Sequence, residues 1–149
     1  MFTKYSQHDP RWITQQIGKS RLSLRLFGCT TSCLSMAASY FGETRTPKEV
    51  AKSNLYNNEG KVLWKNIASV FDSMVFEWRG YTNDTKRINE ALKDPNKCVL
   101  LNVSSGKHWV LATGNSIPLF GYKVVDPYPY PAKDTRRKDI VGFAIVRRK

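Results

Sequence analysis

Apolar and polar positions follow two rhythms along this chain, helical in the first half and extended in the second. After Cys29 the run Cys33-Leu34-Ser35-Met36-Ala37-Ala38-Ser39-Tyr40-Phe41 is apolar or small almost throughout. It predicts a buried helix ending near Gly42, a residue suited to a left-handed cap. Thr46-Pro47-Lys48-Glu49 combines an N-cap, a proline at the first helical position and a reciprocal glutamate, which predicts a short helix through Val50 and Ala51. Beyond a turn at Asn57-Asn58-Glu59-Gly60, Leu63, Trp64, Ile67, Ala68 and Phe71 recur at helical spacing and predict a third helix. Met74 to Trp78 reads as a strand. Asp84 to Lys93, carrying Ile88, Ala91 and Leu92, reads as a short helix stopped by Asp94-Pro95. Strand-like runs follow at Cys98 to Val103, His108 to Thr113, Tyr122 to Val125 and Ile140 to Arg147. Ser104-Ser105-Gly106-Lys107 joins the first two as a hairpin. The segment ahead of Cys29 has no rhythm, only turn signals at Asp9-Pro10 and Gly18. Helices first and antiparallel strands afterwards predict an α+β fold, with a cleft where the helical half meets the sheet.

Length and composition narrow this picture. A chain of 149 residues with 41% hydrophobic and 12% aromatic side chains reads as one folded domain spanning residues 1–149. Such a chain buries roughly two-thirds of its unfolded surface and needs neither disulfide nor metal to make a core. No repeat or low-complexity segment is present, and no run approaches the roughly 20 apolar residues of a membrane span. The opening Met1 to Pro10 lacks the apolar core of a signal peptide, and 3 cysteines make a poor disulfide framework. Synthesis and first residence in a reducing cytoplasm are therefore expected. With 24 Lys and Arg against 12 acidic residues the formal charge is +12, more than solubility requires, and an anionic partner is expected. Bacterial wall, anionic membrane and nucleic acid all qualify. Local clusters stand at Lys133 to Lys138 and at Arg147-Arg148-Lys149, but the dispersion favours a generally positive surface over a dedicated groove.

Gly28-Cys29-Thr30-Thr31-Ser32 places a thiol in the first turn of the buried helix. Unpaired N–H groups and the positive end of the helix dipole favour the thiolate there, the form that attacks a carbonyl. Of the 2 histidines, His108 opens a strand and is the candidate base, while His8 beside Asp9-Pro10 reads as part of a surface turn. Asp126, ending a strand before Pro127, is placed to orient the imidazole, or else merely forms a turn. Gln7 offers an uncharged donor for an oxyanion, or is an ordinary loop residue. Cys33 and Cys98 read as core residues. Cys29, Cys33, Cys98 and His108 lack the paired short spacing of a zinc site, so neither metal nor cofactor is expected. Trp12, Trp64, Trp78 and Trp109 offer stacking surfaces, but three of them fall in apolar runs and read as core.

At these residues a family resemblance enters. Tyr5 to Trp12, Gly28 to Met36, Phe41-Gly42, Thr46-Pro47, Lys107 to Ala112 and Val124 to Pro127 together resemble the C39-like cysteine peptidases, a branch of the papain-like fold. The resemblance spans nearly the whole chain and lies in the order of the pieces, each of which is short. It implies that Gln7 serves the oxyanion, Cys29 is the nucleophile, His108 the base and Asp126 its orienting partner. It also implies a papain-like architecture, with the nucleophile on the N-terminal helical half and the other two on the C-terminal sheet. Thr30 departs from the family, many members of which carry glycine after the cysteine. Bacteriocin-processing relatives belong to transporters, and this chain has no such segment. The function expected is thiol-dependent peptide hydrolysis, with bacterial cell-wall peptides as substrate, in the manner of a small phage-type lysin reaching the wall after release. A processing or effector protease with a protein substrate, a transferase using the same thioester, and a basic nucleic-acid-binding module without catalysis stand as alternatives.

Overall fold

Continuous apolar runs in the second half of the chain build a sheet with two apolar faces, and the helices divide between them. The computed structural model describes residues 2–149. In chain order its helices are α1 (Leu24–Phe27), α2 (Cys29–Tyr40), α3 (Pro47–Ala51), α4 (Ile67–Val70) and α5 (Thr85–Lys93). The strands are β1 (Met74–Gly80), β2 (Lys97–Val103), β3 (His108–Ile117), β4 (Gly121–Asp126), β5 (Lys133–Arg137) and β6 (Gly142–Arg148). They form one 6-stranded antiparallel sheet in the order β1-β6-β2-β3-β4-β5, so the architecture is mixed α/β. Among the described residues no helix is long and apolar enough to cross a membrane.

The central strand β2 shows why its sequence is a continuous apolar run. Val99, Leu101 and Val103 join Val110, Ala112, Phe143 and Ile145 in one cluster, which Ile88 and Ala91 of α5 cover. Leu100 joins Leu111, Val125, Ala144 and Val146 in the other cluster, beneath α2. A strand buried on both faces has no polar side to show. Helix α2 is likewise buried from Thr31 to Ala38. Its serines, alanines and Cys33 are small enough to let it lie close against β3.

Elements with a local stop or start signal fall where the pattern places them. Thr46 and Glu49 form the reciprocal capping box ahead of α3, and Asp84 accepts from the Arg87 N–H at the start of α5. The third helix is shorter than its spacing predicts: a 3-10 turn at Trp64–Asn66 leads into α4, and Phe71 is already extended. Two elements have no hydrophobic rhythm to announce them. The one-turn α1 forms around the buried Leu24, which is held by its N–H to the Gln15 carbonyl at 2.9 Å. The edge strand β5, Lys-Asp-Thr-Arg-Arg, pairs with β4 through its backbone and carries the charges that protect a sheet edge. The core reading of the tryptophans needs correction. Trp12 is buried, but Trp64 and Trp109 are only half-buried and Trp78 is exposed, its ring covered by the Arg87 guanidinium at 4.0 Å.

Candidate active site

Gly28 fixes where the thiol stands. It ends α1 and starts α2 at once, and a Cβ at this position would lie 2.5 Å from the Leu24 carbonyl oxygen. Only glycine lets the helices abut so closely, and the abutment puts Cys29 at the first position of α2. The first i→i−4 bond of α2 runs from the Ser32 N–H to the Gly28 carbonyl at 2.9 Å. The N–H groups ahead of it are thus not used by that helical ladder.

The sheet supplies the remaining groups from one end. His108 is the first residue of β3 and Asp126 the last of β4, and the register pairs Leu111 with Val125, so both stand at the same rim. The His108 Nε2–Asp126 Oδ1 distance is 2.7 Å. Asp126 is itself held by the Tyr128 N–H at 2.9 Å. Gln7 arrives from the N-terminal segment, whose backbone is tied to this corner by the Gln7 N–H to Pro127 carbonyl bond of 2.9 Å. Its amide nitrogen donates to the Arg25 carbonyl at 3.1 Å, which uses one of its two N–H groups, while its oxygen is buried without a partner. Gln7, Leu26, Cys29, Lys107, His108, Asp126 and Tyr128 line one cleft of about 330 Å³. The structure therefore brings Gln7, Cys29, His108 and Asp126 together. His8 bonds the Tyr128 carbonyl and does not line this cleft.

The electrostatics single out Cys29 among the thiols. Burial alone would push it up. The neighbouring His108 imidazole and its charge, the Trp109 N–H and the Thr30 hydroxyl outweigh burial and hold the thiol below its usual value. Burial alone would likewise lower His108. Its hydrogen bonds to Asp126 and Cys29, with their charges, raise it instead to about 9. Asp126 is held below the usual carboxylate range by the His108 and Tyr128 bonds and by the positive charges of His108 and Arg137, against an opposing push from burial. Burial drives the other thiols the opposite way: Cys33 rises well above its usual value, with the charges of Cys29 and Asp126 adding, and Cys98 rises to about 12. All the cysteines are free. Among the described residues no cluster of His, Cys, Asp and Glu is placed to hold a metal ion.

Sequence reasoning missed the groups that hold His108 in place. Asn102 on β2, opposite Trp109, satisfies its amide when the nitrogen donates to the carbonyls of His108 at 2.9 Å and Gly106 at 3.2 Å. The turn before His108 has consecutive left-handed residues, Ser104 and Ser105, with φ of 53° and 56°. Asp139 pins that turn by accepting from the Ser104 N–H at 3.0 Å, and Arg137 reaches the Ser104 hydroxyl at 2.9 Å. A polar residue inside an apolar run was the only available signal for Asn102. The chain matches no known protein family, no curated protein and no solved structure.

Proposed function

We propose that this protein is a cysteine peptidase of the C39-like, papain-like type, cleaving peptide bonds through a thioacyl intermediate. The observation that carries this reading is the convergence in one cleft of Cys29 at a helix start with the His108–Asp126 pair, 2.7 Å apart. Opposed shifts of the thiol and the imidazole favour the thiolate–imidazolium pair at neutral pH. Asp126 occupies Nε2 and so leaves Nδ1 of His108 for the thiol. The thiolate attacks the carbonyl carbon, and the tetrahedral oxyanion takes donors from the Cys29 backbone N–H and the free amide N–H of Gln7. His108 then protonates the leaving amine, a contribution worth about 10²–10⁴ in rate. Water, deprotonated by His108, finally releases the acid from the thioester.

The substrate we assign is peptide of the bacterial cell wall, in the role of a phage-type lysin. A charge of +12 concentrates the protein at an anionic wall through long-range attraction. Purified peptidoglycan incubated with the protein should yield new amino termini, and none with Cys29→Ala. Wall left intact while protein substrates are cut would move the assignment to a processing protease.

A further inference from the structure

A second groove, of about 630 Å³, is lined from the same chain segments as the catalytic cleft. The two share chain neighbours: Cys29 and His108 line the first, and Thr30 and Trp109 line the second. Along its wall the side chains of Trp64, Trp109, Arg79 and Tyr81 follow one another. The tryptophan ring centroids are 5.5 Å apart, and the Arg79 guanidinium lies 4.8 Å from the Trp109 ring and 4.1 Å from that of Tyr81.

Rings against the guanidinium fix its plane and leave only its edges for hydrogen bonding. One edge is spent: Nη1 donates to the carbonyls of Gly80 and Phe143. The Nε and Nη2 N–H groups, which together form a bidentate fork, have no partner among the described residues. Among the described residues no carboxylate pairs with Arg79, although Glu59 lines the same groove. A half-buried cation packed against two aromatic rings, with its matched fork unused, is a receptor for a planar anion.

We propose that Arg79 forms a subsite that binds a free carboxylate on the substrate peptide. This deepens the peptidase reading and rests on it for the word substrate, but the binding event can be measured without catalysis. The probe is a soluble stem-peptide fragment of peptidoglycan carrying its free carboxyl groups, together with the same fragment converted to carboxamides. Calorimetric titration of the intact chain bearing Cys29→Ala should give an affinity roughly ten- to a hundredfold higher for the carboxylate form, the range for charge-assisted hydrogen bonds. Adding Arg79→Gln, which keeps a polar group near the Gly80 and Phe143 carbonyls, should abolish that difference. Arg79→Lys, which keeps the charge and loses the fork, should restore only part of it. Equal affinity for the two forms, binding of neither, or a preference that survives Arg79→Gln would each overturn the subsite. A carboxylate preference without cleavage by the unmodified protein would instead overturn the peptidase reading and leave the subsite standing.

Discussion

Cys29 and His108 push each other's ionisation apart, and on the peptidase reading proposed above the expected consequence is a rate profile with two limbs. Below the depressed thiol value the sulfur is protonated and cannot attack. Above about 9 the imidazolium is lost and the leaving amine has no acid. Because the groups are coupled, the limbs belong to the pair rather than to either residue alone. Turnover against pH should therefore rise to a maximum and fall again above about 9, and iodoacetamide should label Cys29 below the ordinary thiol pKa of about 8.5. Cys33 and Cys98 should stay unlabelled in the folded protein. His108→Ala should cost about 10²–10⁴ in turnover with the fold retained. Asp126→Asn removes a charge that holds His108 up, so it should cost less and move the alkaline limb to lower pH. At this scale much was legible in advance, because nucleophilic chemistry needs few residue types and the chain holds only 3 cysteines and 2 histidines. Arg79 was not legible. Its meaning comes from the Trp109 and Tyr81 rings packed against it, and the fold sets those contacts.

Helices and strands are set by local signals where these exist and by neighbours where they do not. The capping box of Thr46 and Glu49 is a local signal, and Thr46→Ala should lower stability by about 1 kcal/mol in urea unfolding. Glu43, just beyond α2, shows the second case. Its carboxylate accepts from the Ser73 N–H at 2.9 Å, the Ser73 hydroxyl at 2.6 Å and the Asp72 N–H at 3.1 Å, clamping the end of α2 to the entry of β1. Burial would raise Glu43, but these bonds and Arg45 outweigh it and hold it below its usual value. A carboxylate depressed on folding stabilises above its unfolded pKa, about 4.3, and loses that contribution as pH falls through the folded value. Glu43→Ala should therefore cost about 2 kcal/mol at pH 7 and markedly less at pH 3, measured by urea unfolding at each. No alternation or cap marks β5 or α1. β5 exists because β4 offers it a backbone edge, and α1 because Leu24 is buried and Gly28 allows the next helix to abut it.

For the molecule as a whole, charge and topology have separate consequences. The +12 charge acts over about one Debye length, roughly 10 Å at 0.1 M salt. Retention on intact walls should fall steeply as salt rises from 0.05 to 0.5 M, whereas cleavage of small soluble fragments should change far less; pull-down and amino-terminus release measure the two. The balance of a helical half and a strand half was readable from rhythm alone, but strand order was not, since alternation says which face a residue takes and nothing about its neighbour. The least foreseeable step is β6 entering between β1 and β2. On a ribosome, β1 emerges early and then waits without a mate while the next four strands and the turn that presents His108 are synthesised. Until the closing strand slots in, the nascent chain has two raw sheet margins open to other polypeptides, and Arg79 lacks the Phe143 carbonyl that anchors it. Assembly of the groove thus waits on β6, the sixth strand in chain order.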